Sequence, residues 1–217
     1  MSDPRPPKRF GLARFLRVSL ALVLPLVFRT RVVGRERVPA GGVILAGNHV
    51  SYADPVLLWC ASPRPAHFMA KVELWEKPVL AWGLDHFWAF PIRRDAVDRQ
   101  ALKKASELLK AGEIVGIFPE GTRSTSDGLG EAHGGAAFLA IHNGVPVVPV
   151  GIAGTERIMP DGARFPRLPK VVISFGEPID PAAFGVHGHK ERVGEMTKAI
   201  MSGISAEMDF ARKGGKR

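Results

Sequence analysis

The chain has 217 residues, 46% of them hydrophobic, and a formal net charge of +9, which is enough for one α/β domain plus a short appendage. A single cysteine, Cys60, excludes an intramolecular disulfide and sits in an apolar stretch as a core filler. Residues 1–37 carry nine Lys/Arg against two acids, and residues 212–217 carry four Lys/Arg against none. Residues 38–211 hold 17 basic and 19 acidic residues, so the near-neutral body argues against a nucleic-acid-binding face. Paired basic ends suit an anionic membrane surface, although the C-terminal run reads better as a solvated tail.

Residues 1–9 are polar with three prolines. Residues 10–28 follow as FGLARFLRVSLALVLPLVF, broken by Arg14 and Arg17 in the first half. Only residues 18–28 are free of charge, with Pro25 inside, whereas a bilayer-spanning helix needs about 20 apolar residues. Thr30-Arg31-Val32 is a poor signal-peptide cleavage site. The pattern predicts a helix dipping into one leaflet, its arginines reaching back to phosphates. A helix packed against a soluble domain is the competing reading. Residues 1–30 are thus set apart as a basic, apolar, membrane-associated segment, and residues 31–217 as the domain proper.

Along that domain, residues 31–38 read as a short strand, and Pro39-Ala40-Gly41-Gly42 as a turn. A buried strand at 43–46 leads through a polar turn to a helix ending near residue 61. Strands are predicted at 66–70, 87–92, 114–118, 145–152 and 171–175, and residues 71–82 read as mixed, with a helix broken at Pro78. Ala101, Leu102, Ala105, Leu108 and Leu109 share one face of a helix over 97–111, which Gly112 stops. A helix at 135–142 is closed by Gly144, and Val193, Met196, Ile200, Ile204 and Met208 make a closing amphipathic helix. Strands alternating with helices predict an α/β fold: a mostly parallel central sheet with helices on both faces, plus the N-terminal helical segment.

Three polar turns follow apolar strands, and parallel strands would bring them to one rim, where α/β folds bind ligands. The first is Asn48-His49-Val50-Ser51-Tyr52-Ala53-Asp54. A neutral imidazole takes a proton near pH 7, and a carboxylate on its second nitrogen fixes the tautomer and stabilises the cation. Taken alone the pair has a plainer account, with Asp54-Pro55 as a helix start and His49 as a surface histidine. The second turn ends Phe90-Pro91-Ile92 in Arg93-Arg94. The third is Phe118-Pro119-Glu120-Gly121-Thr122-Arg123-Ser124. There Gly121 permits a tight turn or close ligand approach, Arg123 offers a planar fork suited to phosphate, and Thr122 and Ser124 add hydroxyls. Glu120 would hold the arginine or meet a ligand hydroxyl.

These residues resemble the glycerolipid acyltransferases, in particular the bacterial 1-acyl-glycerol-3-phosphate acyltransferases. The family's Asn-His-x-x-x-x-Asp is matched by Asn48, His49 and Asp54, and its hydrophobic stretch ending in arginine by residues 90–94, with Arg94 in the arginine's place. Its Phe-Pro-Glu-Gly-Thr-Arg-Ser is matched by residues 118–124, and its Val-Pro-Val-x-Pro-Val by residues 145–150. Lys71-x-Glu73-Leu74 is also similar to the family. Two departures stand out. Trp88 occupies a place often held by glycine, with an expected effect on the acceptor pocket, and Ala132-His133 stands where a lysine is common.

The resemblance implies transfer of a fatty acyl group from acyl-CoA or acyl-ACP to the hydroxyl of a lysophospholipid acceptor, 1-acyl-glycerol 3-phosphate, giving phosphatidic acid. His49 would act as general base with Asp54 orienting it. Arg94 and Arg123 would hold the acceptor phosphate, with Glu120, Gly121 and Thr122 shaping that site. Direct attack is preferred over an acyl-enzyme at Ser51, because a thiolate leaves readily. No metal and no cofactor beyond the acyl thioester co-substrate is expected, nor any nucleic acid partner. The expected location is the cytoplasmic face of the cell membrane, peripheral or monotopic. An acyltransferase with another acceptor (glycerol 3-phosphate, another lysophospholipid, a glycolipid) is the nearest alternative. A lipid hydrolase using the same dyad on water and a non-catalytic membrane-binding module are more distant ones.

Overall fold

The computed structural model describes residues 10–93, 98–121, 129–130, 132–160, 162–185 and 188–216, without the side chains of residues 10–14, 16 and 17. Its elements in chain order are α1 (Phe10–Val27), β1 (Arg31–Val33), β2 (Val43–Gly47), α2 (Asp54–Ala61), β3 (Ala66–Lys71), α3 (Pro78–His86) and β4 (Phe90–Ile92). These are followed by α4 (Arg99–Lys110), β5 (Ile114–Ile117), α5 (Gly135–Asn143), β6 (Val147–Ala153), β7 (Val172–Phe175) and α6 (His189–Arg212). The strands form one sheet in the order β1-β7-β6-β2-β5-β3-β4. The five strands from β6 to β4 run parallel, β7 pairs antiparallel with β6, and β1 runs parallel with β7. This is the predicted α/β architecture with a mostly parallel sheet.

Helices cover both faces because β2, buried at every residue, is apolar throughout rather than alternating. Val43 and Leu45 face a cluster with Leu57, Leu58, Trp59 and Cys60 of α2, and Leu20, Ala21 and Leu24 of α1 pack against it. Ile44 and Ala46 face the opposite way, onto Ala105 and Leu109 of α4, Ala137 and Leu139 of α5, and Met196, Ile200 and Ile204 of α6. The amphipathic stripe read from the last helix is thus its core face. Helix α6 lies so close to β6 that a Cβ on Gly151 would come within 2.1 Å of the Glu207 backbone carbon. Only glycine fits there.

Several boundaries differ from the sequence expectation, each for a local reason. The strand expected over 31–38 stops at Val33 because Gly34 turns the chain at φ +75, where a Cβ would meet the Phe175 carbonyl oxygen at 2.2 Å. The strand expected over 87–92 shrinks to Phe90–Ile92 because Trp88 adopts φ 56. Pro78 begins α3 rather than breaking a helix, after a 3-10 turn at Val72–Glu76. Helix α4 starts at Arg99, where the Asp98 carboxylate accepts from the N–H groups of Gln100 and Ala101.

Helix α1 has two apolar sides. Leu20, Ala21 and Leu24 pack on the domain, as the competing reading expects. Phe15, Val18, Leu22 and Leu26, at i, i+3, i+7 and i+11, are 52–80% exposed, so one stripe of the helix is left uncovered. Among the described residues, no helix is long and apolar enough to cross a membrane.

Candidate active site

The C-terminal end of β2 delivers the first polar turn to the rim of the sheet. Asn48 fixes its start: the side-chain amide donates to the Ile152 carbonyl (2.9 Å), and its oxygen accepts from the Ile152 N–H (2.7 Å). This buried two-way bond ties the turn to the end of β6. The next residues curl around one carboxylate oxygen. Oδ2 of Asp54 accepts from the N–H groups of Val50 (2.8 Å) and Ser51 (2.7 Å) and lies 2.9 Å from Nδ1 of His49.

Asp54 is therefore more than a helix start. It is the first residue of α2, followed by Pro55 in the first turn, and Ala53 is the N-cap. Its fully buried side chain points back to the histidine instead of capping the helix. The hydrogen bonding assigns the proton to Nδ1 and leaves Nε2 as the acceptor. The His49 side chain retains 13% exposure. Its ring stacks on Phe118, with centroids 4.3 Å apart and planes 21° apart, and Phe118 in turn stacks on Phe68. An imidazole with a defined tautomer, braced by a buried carboxylate and held flat against an aromatic ring, is preorganised to take a proton from a hydroxyl.

Glu120 joins this turn to the one after β5. Oε1 accepts from the backbone N–H of His49 (3.0 Å), and Oε2 accepts from the N–H of Gly130 (2.7 Å). Each of its oxygens thus holds a backbone donor; the arginine that the sequence reading sets beside it, Arg123, lies outside the described residues. Only 5% of the residue is exposed, which makes it a strut under His49. Gly121 adopts φ +68, and a Cβ there would meet Cδ2 of His133 at 2.9 Å. The histidine that replaces a common lysine thus stands beside the third motif, with its N–H bonded to the Pro119 carbonyl.

The structure brings together His49, Asp54, Glu120 and Gly121; Arg94, Thr122 and Arg123 lie outside the described residues. The Asp98 carboxylate accepts from the Arg93 N–H at 2.9 Å, and that bond holds its pKa below the usual range. The backbone N–H groups of His49, Val50, Ser51, Ala53 and Asp54 all have acceptors within the protein. An oxyanion donor is therefore to be sought elsewhere. Sequence reasoning missed three positioning residues. Asn48 and Phe118 lie inside recognised motifs without an assigned task, and Gly130 carries no signal of its own.

Trp88 sits away from this rim. Its ring stacks on His67 of β3 (5.6 Å) and meets Trp59 edge-on (6.3 Å). His67 pairs with Val115 in the sheet, toward the strands' N-terminal ends. The φ of 56 gives a physical reason for a glycine at this place. Burial, reinforced by Lys104, pushes the pKa of His67 down to about 4.

A family model described as Acyltransferase matches residues 29–153. A 1-acyl-sn-glycerol-3-phosphate acyltransferase of Bacillus subtilis is 32% identical over 189 residues, 86% of this chain and 92% of that one. A lyso-ornithine lipid O-acyltransferase of Pseudomonas aeruginosa is 32% identical over 156 residues, 71% of this chain and 58% of that one. The crystal structure of the 1-acyl-sn-glycerophosphate (LPA) acyltransferase PlsC from Thermotoga maritima aligns with a TM-score of 0.70 and 27% identity, over 92% of this chain and 83% of that one. The motif order, the rim that gathers His49, Asp54 and Glu120, and the shared fold lead to one conclusion: the chain belongs to the acyltransferase family and is an enzyme.

Proposed function

We propose that this enzyme transfers a fatty acyl group from acyl-CoA or acyl-ACP to the free hydroxyl of 1-acyl-sn-glycerol 3-phosphate, giving phosphatidic acid. One observation carries the reading: Nδ1 of His49 on the buried carboxylate of Asp54, with Nε2 left as acceptor. The acceptor hydroxyl gives its proton to Nε2 as its oxygen attacks the thioester carbonyl. The carbonyl re-forms as the C–S bond breaks, and the imidazolium returns the proton to the departing thiolate. Asp54 stabilises the transient imidazolium. A thiolate is a good leaving group, so the step requires neither an enzyme nucleophile nor a further cofactor.

Arg94 and Arg123 hold the acceptor phosphate as bidentate donors, assisted by Thr122. Gly121 lets the backbone come close to that group, and Glu120 acts through His49. Because acceptor and product are lipids, the uncovered stripe of α1 lies in the cytoplasmic leaflet of an anionic membrane. Residues 1–30 thus form a membrane-associated segment distinct from the catalytic domain at 31–217.

The test is an acceptor screen with purified protein and one labelled acyl thioester, run on the parent and on His49→Ala. Transfer to 1-acyl-glycerol 3-phosphate is expected from the parent and none from the variant, whose fold persists by circular dichroism. An active His49→Ala enzyme removes the base assignment. A second acceptor class is favoured by a specific observation: the Pseudomonas relative is named for lyso-ornithine lipid. The same screen separates the two, since that acceptor has no phosphate to be held.

A further inference from the structure

The connection between β6 and β7 combines exposed apolar side chains with basic ones. Phe165 is 80% exposed, Leu168 57% and Met159 54%, and Arg157, Arg164, Arg167 and Lys170 between or beside them are exposed too. Over residues 154–171 the sequence has four basic residues and two acids, Glu156 and Asp161, and Glu156 pairs with Arg157 at 3.3 Å; the rest of residues 38–211 has 13 basic residues and 17 acids. A charged loop with no apolar tip would be an ordinary solvated surface; an apolar tip with no charge would be an aggregation liability. The alternation fits an anionic bilayer surface, where aromatic and aliphatic groups enter the interface and arginines stay with phosphates.

The backbone suits the same partner. Pro160, Pro166 and Pro169 have no N–H to desolvate. The N–H of Ala163 bonds to the Pro160 carbonyl, and that of Arg167 to the Ile158 carbonyl at 2.7 Å. Ile158, which is buried, roots the segment in the core. Arg29 at the end of α1 donates to the Leu168 carbonyl at 3.0 Å.

Topology fixes where this surface faces. β6 ends at the edge from which His49 projects, because Gly47 pairs with Val150 and Asn48 bonds Ile152. β7 returns from that edge antiparallel, and Arg31 of β1 pairs with Val172. The apex of the connection, the end of α1 and the catalytic histidine therefore share one rim. We propose that the β6–β7 connection, through Phe165, Leu168 and the flanking Arg164 and Arg167, is a second anchor that seats the catalytic rim on an anionic lipid surface. This rests on the membrane reading of α1 given above.

The experiment uses the full chain and vesicles of phosphatidylglycerol or of phosphatidylcholine. A Phe165→Ser/Leu168→Ser variant is expected to bind phosphatidylglycerol vesicles at least about tenfold more weakly than the parent. Its activity on a short-chain, monomerically dispersed acceptor should be unchanged. Arg164→Glu/Arg167→Glu should cut the preference for the anionic vesicles by at least about threefold, the basic residues of 1–37 supplying the remainder. A polarity-sensitive dye on Phe165→Cys, with Cys60 buried, should shift to the blue on vesicle addition. Undiminished vesicle binding by the Ser variant, or an unshifted dye on protein that co-sediments, overturns the second anchor and leaves the α1 reading standing. A parent chain that binds neither vesicle overturns both.

Discussion

Replacing Asp54 by Asn tests the proposed catalytic pair with little change in shape. The amide oxygen can take the place of Oδ2 and still accept from Nδ1 of His49 and from the N–H groups of Val50 and Ser51, so the turn keeps its geometry. What disappears is the charge that faces the imidazolium as it forms. With the ring nitrogen 2.9 Å from the oxygen, the two charge centres lie about 4 Å apart, which at an effective dielectric of about 20 is an interaction of about 4 kcal/mol. If most of that charge has developed in the transition state, kcat should fall by about 10²–10³. KM for the acceptor should stay within about threefold, because the Asp54 side chain is fully buried behind His49. The substituted Nδ2 would occupy the position of Oδ1, a buried atom with no hydrogen-bond partner among the described residues. A stability loss of about 1–3 kcal/mol is therefore expected, and the assay should run well below the variant's melting temperature. Steady-state kinetics with a chromogenic thiol trap for the released thiolate reads kcat directly. A folded Asp54→Asn enzyme with kcat within tenfold of the parent would refute the electrostatic role of the carboxylate.

Three further substitutions probe the rest of the molecule. Glu120→Gln leaves one oxygen for two backbone donors, so either the His49 or the Gly130 N–H loses its acceptor; a stability loss of about 1–3 kcal/mol in urea melts is expected, with kcat lowered more than acceptor KM. At Trp88, where φ is 56, the Gly variant should be more stable than the Ala variant by about 1 kcal/mol, because both lose the ring contacts but only Ala keeps the backbone strain; the reverse order in paired thermal melts would contradict this. His67 is held neutral down to about pH 4 against a usual 6.5. The unfolded chain therefore binds this proton first as pH falls. The destabilisation is absent above about pH 6.5, grows between 6.5 and 4, and reaches on the order of 3 kcal/mol below that. In urea melts across that window the stability of His67→Phe relative to the parent should rise by up to about 3 kcal/mol as pH falls, and parallel curves would rule the contribution out.

Much of the fold could be read from local pattern because local pattern and burial agree there. Residues 43–46 are apolar at every position, and the strand they form is covered on both faces. The stripe from Val193 to Met208 is the core face of α6. The boundaries that moved are set by contacts distant in sequence. Gly34 ends β1 because the Phe175 carbonyl leaves no room for a side chain. Trp88 leaves the strand conformation where it stacks on His67 and meets Trp59. Motif residues announced the His49–Asp54 pair, but the task of Glu120 depends on Gly130, whose N–H no motif marks.

The direction of the last strands ties the fold to the proposed chemistry at a lipid surface. In a fully parallel sheet, a strand preceded by a helix is entered from the edge opposite the catalytic rim. Here β7 reverses against β6, and β1 follows β7, so the chain leaving α1 enters β1 at the rim itself. Nothing in residues 31–33 or 172–175 alone encodes that reversal, since short buried strands read the same in either direction. Its consequence is that an apolar helix and the His49 turn open on the same side of the molecule. On the far flank of the sheet, Val79 at 82% and Trp82 at 52% exposure follow the end of β3. A bilayer beneath the rim would thus meet apolar groups on both sides of the histidine.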